Sequence, residues 1–209
     1  TVIIYTADHG DFGGEHGLYR KNLGIYESIH RIPFIIKYPE CPKGKVCSEL
    51  MESLDLYPTL CELADISMPS EVEGESIIPI ISSRIHQNSR SKGKDQVIAE
   101  WDFPFPNERV NAIRTEKYRM VYYSHEKGGE LYDRVQDSGE INNVWDCPEY
   151  QEVRMELMER LFDQINRYSL KSSFETDRIE AQNTSNTPTR LLHKRRRKWS
   201  EIEELFQIS

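Results

Sequence analysis

Apolar and polar positions alternate in two different ways along the 209 residues. Near the start, short continuous apolar runs dominate. Val2-Ile-Ile-Tyr5 is β-branched and aromatic without a polar break, which predicts a strand buried on both faces. Pro33-Phe-Ile-Ile-Lys-Tyr-Pro39 repeats that pattern between two prolines. Gly10, Gly13, Gly14 and Gly17 lie between the runs and predict an irregular loop. Ser53 to Ile66 predicts a helix. Asp55 can cap it, Pro58 falls in the first turn where a missing N–H is harmless, and Leu56, Leu60, Leu63 and Ala64 share one face. Buried strands alternating with helix predict an α/β core with a parallel or mixed sheet.

The pattern changes after about Ser82. Ser83 to Asp95 is polar and reads as a linker or surface loop, and then strand-length segments follow closely. Val97 to Trp101 predicts a strand, Val110 to Thr115 and Tyr118 to Tyr123 a hairpin around Glu116-Lys117, and Glu130 to Asp133 a short fourth strand. Pro148 to Tyr168 predicts a helix. Its proline lies near the first position, Val153, Leu157, Leu161 and Ile165 recur every four residues, and Met158 and Phe162 widen the stripe. This is an α+β unit, an antiparallel meander under one helix. From Lys171 the chain is polar and contains the basic run Lys194 to Lys198. The expected division is 1–95, 96–170 and a 171–209 tail.

Composition narrows the class. At 37% hydrophobic and 10% aromatic residues the chain can bury a core, which excludes wholesale disorder. A net charge of −8 argues against a nucleic-acid binder, and the basic run reads as a solvated tail. No apolar run approaches the roughly 18 residues of a membrane span, so no membrane partner is expected. There is no initial Met or signal-like segment, and Thr1 to Tyr5 is already a strand, so the chain is expected to begin inside a longer protein. Cys41, Cys47, Cys61 and Cys147 form no C-x-x-C pair and no zinc spacing. A Cys41–Cys47 disulfide is sterically open, but free or buried thiols are expected, and the compartment stays undetermined.

The chemistry gathers between Thr6 and Pro39. Open α/β sheets bind ligands beyond the carboxyl ends of their strands, where Asp8 and His9 stand. An adjacent carboxylate and imidazole can share a divalent cation, with Gly10 letting the backbone turn beneath it. The oxygen donor suits calcium or magnesium, and the imidazole widens the choice to manganese or zinc. The competing reading is a ligand-free Asp-His-Gly turn. Lys21, beyond the glycine loop, can bind an anionic oxygen and stabilise charge on a leaving group, or else is simply solvated. His16 is a ligand, a proton donor or a loop-packing residue. Glu27 and Arg31 either pair structurally with each other or contact the substrate.

Taken together, D-H-G-x(4)-E-H-G-L-x(2)-K followed by Y-E-S-x(2)-R-I-P-F-I-I resembles the sulfatase family of the alkaline-phosphatase-like superfamily. SLDLYPTLCELADISMP, VEGESIIPII, VNAIRTEKYRMVYY and ELYDRVQDSGEINNVWDCPEY resemble later segments of that family in the right order, over Thr1 to Tyr168. The resemblance implies that 1–95 is the C-terminal part of the sulfatase α/β sandwich core, with half of a metal site, and that 96–170 is its small antiparallel subdomain. It implies Asp8 and His9 as metal ligands, with calcium the first choice and magnesium or manganese the alternatives. It makes Lys21 a catalytic residue that contacts the sulfate and the leaving oxygen, and His16 a substrate-binding residue. One extra residue between Lys21 and Tyr26 makes Arg20 a competitor. The family's nucleophile is a formylglycine made from Cys or Ser in a C/S-x-P-x-R motif, and this sequence does not contain it: Cys41-Pro42 and Cys147-Pro148 lack the spacing, and Ser67-Met-Pro-Ser-Glu71 has Glu in place of Arg. The implied partners are a sulfated small molecule or glycan and the N-terminal half of the same protein, so the chain alone is not expected to turn over. Two rivals are a phosphoryl or phosphonate hydrolase or phosphomutase of the superfamily, and a non-catalytic chain that binds a cation or a partner.

Overall fold

The computed structural model describes residues 1–21, 26–69, 72–83, 93–103, 108–125 and 128–183. The basic run and most of the expected 83–95 loop lie outside these residues. The chain divides into two compact units, Thr1–Asn166 and Arg167–Ser209.

The centre of the first unit is a four-stranded antiparallel meander of β5 (Gln96–Phe103), β6 (Glu108–Thr115), β7 (Tyr118–Tyr123) and β8 (Gly128–Asp133). All four strands and their order were legible in the hydrophobic pattern. The β6–β7 connection is the expected Glu116-Lys117 turn, and neither residue has positive φ. The Thr115 hydroxyl holds it, accepting from the Tyr118 N–H at 3.0 Å and donating to the Tyr118 carbonyl at 3.2 Å.

Both faces of this sheet are covered. On one, Ile113, Met120 and Leu131 stand in register and pack beneath Leu157 and Leu161 of α4 (Gln151–Asn183). Val153, Met158 and Ile165 pack around this core as the stripe predicts. Phe162 does not: it is 66% exposed, because the sheet is too narrow to meet a stripe that wide. Trp145 lies against the far edge over Gly129, where a Cβ would come within 2.5 Å of the indole, and Arg154 lies 5.0 Å above the indole ring. The helix continues beyond Tyr168 to Asn183, since no Gly or Pro interrupts 169–183.

The other sheet face carries Val110, Ala112 and Val121 with Tyr26 packed on them. Arg114 and Arg119 extend this face and pair directly across β6 and β7.

The first expected strand, β1 (Ile3–Thr6), pairs with β4 (Phe34–Lys37), and the pairing is antiparallel. Ile3, Tyr5 and Ile35 are more than half exposed, and Ile4, Phe34 and Ile36 are half-buried. The double-sided burial predicted for both runs is thus not seen, because a two-stranded ribbon has no layer against each face. Among the described residues every strand pair is antiparallel.

A 3-10 turn, Ser53–Asp55, leads into α2 (Leu56–Leu63). Asp55 takes part in the cap as expected, within a capping box in which it accepts from the Glu52 N–H at 2.8 Å. The inward face differs from the expectation. Pro58, Thr59 and Cys61 are buried, whereas Leu60 and Ala64 are exposed. Polar bonding sets this rotation: the Thr59 hydroxyl donates to the Asp55 carbonyl and accepts from the Ile77 N–H, and Asp55 also receives the Glu75 N–H and the Lys94 ammonium. Ile77 is buried just before α3 (Ile78–Ser83). All four cysteines are free thiols.

Candidate active site

β1 ends at Thr6, and the chain turns immediately through Asp8, His9 and Gly10. The Gly10 N–H donates to the Ile29 carbonyl of α1 (Glu27–His30) at 2.8 Å. A Cβ on Gly10 would stand 2.0 Å from the Ser28 carbonyl oxygen, so only glycine lets the turn rest on α1.

Asp8 accepts the His9 N–H at 3.0 Å, and its carboxylate is open to solvent. Hydrogen bonds from its own N–H and that of His9 hold its carboxyl below the usual range, with smaller help from the charges of His9 and Lys21. The half-buried His9 ring has Nδ1 2.7 Å from the Gly10 carbonyl oxygen. A carbonyl only accepts, so Nδ1 carries a proton, and Nε2 is the ring nitrogen left to face Asp8. Nε2 lies 3.7 Å from Asp8 Oδ2. That is too long for a hydrogen bond, but it admits a cation at about 2.3–2.6 Å from each atom. A backbone carbonyl holding the far ring nitrogen is the usual second-shell support of a histidine ligand. The pair therefore fits a divalent cation, although among the described residues no group of three or more His, Cys, Asp or Glu converges on such a point.

The glycine loop is stapled by β2 (Phe12–Gly13) against β3 (Tyr19–Arg20). His16 and Arg20 both have left-handed backbone, with φ of 54° and 60°. Exposed Lys21 follows these bends, and its charge is the smallest of the influences on the Asp8 carboxyl. Asp8 and His9 are thus brought together, whereas Lys21 is linked to Asp8 through its charge alone. His16 is held elsewhere in the loop, stacked on Tyr26 at 3.8 Å and 7° between ring planes. The segment of the extra residue between Lys21 and Tyr26 lies outside the described residues.

Glu27 does not pair with Arg31, which is exposed. Its carboxylate meets Arg134 at 2.9 Å, Arg114 at 3.2 Å and Arg119 at 3.8 Å, all from the meander side. Its backbone N–H donates to Glu140 Oε2 at 2.9 Å. Arg119 is 1% exposed, and burial presses its guanidinium pKa down while Glu140 and Glu27 push back. Sequence reasoning missed this cluster. Its members lie up to 113 positions apart, and no local period marks them.

Residues 14–167 match the family described as N-sulphoglucosamine sulphohydrolase, C-terminal. The chain belongs to the sulfatase family. It is 31% identical over 80% of its length to an N-acetylglucosamine-6-O-sulfatase of Bacteroides thetaiotaomicron, and 33% identical over 73% to an arylsulfatase of Clostridium perfringens. It covers 30% and 31% of those proteins, so it spans about a third of the curated sulfatases it matches. The solved structure of a 2-O GAG sulfatase superposes with a TM-score of 0.73 at 30% identity, covering 80% of this chain and 36% of that one. Another, in complex with its substrate D-glucosamine-2-N,6-O-disulfate, gives 0.71 at 29% identity, covering 80% and 34%. A phosphonate monoester hydrolase from Silicibacter pomeroyi gives 0.70 at 24% identity, covering 80% and 35%, a likeness of fold alone. The fold is that of the C-terminal portion of an alkaline-phosphatase-like sulfatase.

Proposed function

We propose that this chain is the C-terminal part of a metal-dependent sulfuric ester hydrolase that acts on a sulfated sugar. The observation that carries the reading is the His9 geometry: Nδ1 held by the Gly10 carbonyl, and Nε2 turned to Asp8 Oδ2 at 3.7 Å. An Nε2 facing a carboxylate oxygen calls for positive charge between them, from a ring proton or a metal ion, and the 3.7 Å gap is longer than the N–H···O bond that a ring proton would make.

In this reading Asp8 and His9 hold a divalent cation, most simply calcium. The cation supplies Lewis-acid neutralisation of sulfate oxygens. Gly10 fixes the ring of His9, and α1 beneath it sets the height of the turn. The exposed Lys21 ammonium takes up negative charge on the bridging oxygen as the ester bond breaks. The formylglycine nucleophile and the remaining metal ligands come from the N-terminal half of the protein. An N-acetylglucosamine-6-O-sulfatase and a structure in complex with D-glucosamine-2-N,6-O-disulfate among the relatives support a sulfated sugar as the substrate, and the exposed position of Lys21 suits a bulky alcohol.

The test is sulfate release by the intact protein from a sulfated glucosamine and from 4-nitrophenyl sulfate. Lys21→Ala should lower turnover about 100-fold or more on the sugar, the loss typical of one preorganised transition-state donor. The loss should shrink on the nitrophenyl ester, whose leaving oxygen needs less help, and Arg20→Ala should do far less. A crippling Arg20→Ala beside a silent Lys21→Ala would displace the lysine assignment. No sulfate release from any ester, with phosphonate or phosphate esters cleaved instead, would replace the reading with phosphoryl transfer. The 209-residue chain alone should bind calcium weakly, because oxygen-seeking cations want about six or more ligands and two are in place. Tight stoichiometric binding in a calorimetric titration would show that no further half is needed.

A further inference from the structure

We propose that Glu140 and Arg119 are positioning residues for the Asp8–His9 turn, acting through α1. The inference deepens the reading of Asp8 and His9 as a cation site and rests on it in part.

The turn rests on α1 through the Gly10 N–H to Ile29 carbonyl bond and the close approach of Gly10 to Ser28. α1 has four residues, too few to hold its own shape, so its place is set by whatever grips it. Both its ends are gripped from the meander side. At the first turn Glu140 accepts the Glu27 N–H, and Arg134 and Arg114 bind the Glu27 carboxylate. At the last turn Arg119 Nη2 lies 3.3 Å from His30 Nδ1. Ile29, between these two grips, is completely buried.

Stability alone is a poor reason for such a cluster. Arg114 and Arg119 stand directly opposite each other on adjacent strands, a like-charge pairing that costs energy. Glu140 is 2% exposed and has φ of 55°, a left-handed backbone that a residue with a Cβ adopts at a cost. Arg119 Nε and Glu140 Oε1 are 3.7 Å apart, and neither has a hydrogen-bond partner. Buried, incompletely bonded ion pairs contribute little net stability. Strain of this kind persists where the surroundings over-determine one geometry, and what this geometry fixes is the seat of α1 under Gly10.

The experiment uses the full chain in two measurements: hydrogen exchange of the Gly10 amide, and Mn²⁺ relaxation of the Asp8 and His9 resonances. Glu140→Gly suits the left-handed backbone but removes the carboxylate. It should speed Gly10 exchange about tenfold relative to the Ile113 amide, the effect of losing one charge-assisted hydrogen bond. It should also weaken Mn²⁺ broadening at Asp8 and His9 several-fold. Glu140→Gln keeps an acceptor for the Glu27 N–H and should recover most of the Gly10 protection. Lys94→Met breaks a different ion cluster, with Glu52 and Asp55, and should leave the ratio of Gly10 to Ile113 exchange unchanged. If Glu140→Gly leaves that ratio unchanged, or Lys94→Met raises it equally, the cluster does not position the turn. If Mn²⁺ broadens neither Asp8 nor His9 in any form, the cation reading falls, while the exchange ratios still decide the positioning role.

Discussion

In the meander, Ile113, Met120 and Leu131 are completely buried beneath α4 and Tyr26 packs on the opposite face, while in the β1–β4 ribbon Ile3, Tyr5 and Ile35 are more than half exposed. Both regions are built from β-branched and aromatic residues in short runs. The meander has four strands and a layer on each face; the ribbon has two strands and one half-buried face. Yet the candidate chemistry hangs on the ribbon. The difference teaches that a thin element can carry a site if its position is borrowed from a thicker one. Here the loan passes through α1, fixed to the meander by the Glu27–Arg119–Glu140 cluster and to the metal-capable turn by Gly10.

The largest test of this contrast is Arg119→Ala. It strands Glu27 and Glu140 as buried carboxylates with fewer partners, and should cost roughly 3–5 kcal/mol in denaturant unfolding. A loss below about 1 kcal/mol would mean that the cluster is hydrated and that the two regions are not joined through it. Next comes Leu131→Ala at the centre of the meander, expected to cost about 2–5 kcal/mol through lost burial and a cavity. Amide exchange sharpens the same contrast: β6 and β7 amides should exchange only through global opening, and β1 and β4 amides through cheaper local opening. Equal protection in ribbon and meander would break it.

A smaller effect concerns alkali. Burial, then the hydrogen bond and charge of Glu130, raise the pKa of the Tyr132 phenol, whose hydroxyl donates to Glu130 at 2.6 Å. The folded state prefers the neutral phenol, while an unfolded tyrosine ionises near about pH 10. The contribution of Tyr132 is thus complete below that pH and falls as pH rises above it. Tyr132→Phe should flatten the decline in unfolding free energy above pH ~10; an unchanged slope would show that other groups set it. The smallest effect belongs to the ribbon. Tyr5→Ser should change the stability of this chain by no more than about 0.5 kcal/mol, as for an ordinary surface position. A larger loss would show that the ribbon face is covered in solution.

Much of this molecule could be read from residue order alone. The meander, its turn at Glu116-Lys117 and the α4 stripe are local patterns, and local periodicity reports directly on strand or helix. The adjacency of Asp8, His9 and Gly10 is likewise local, and the resemblance that named the family rests on such short ordered motifs. What the sequence could not supply was the partner of each face. Leu60 and Phe162 fit their helical stripes but lie exposed, because hydrogen bonds from Asp55 and Thr59 rotate α2 and a narrow sheet limits what α4 covers. Glu27 has a basic neighbour four positions on, yet binds arginines about ninety to a hundred positions away. Which nitrogen of the His9 ring faces Asp8 was equally out of reach, since it depends on where the Gly10 carbonyl points after α1 has been seated. Periodicity shows that a residue has an inward side; only the packed chain decides what stands there, because burial and ion pairing act through space and have no period along the sequence.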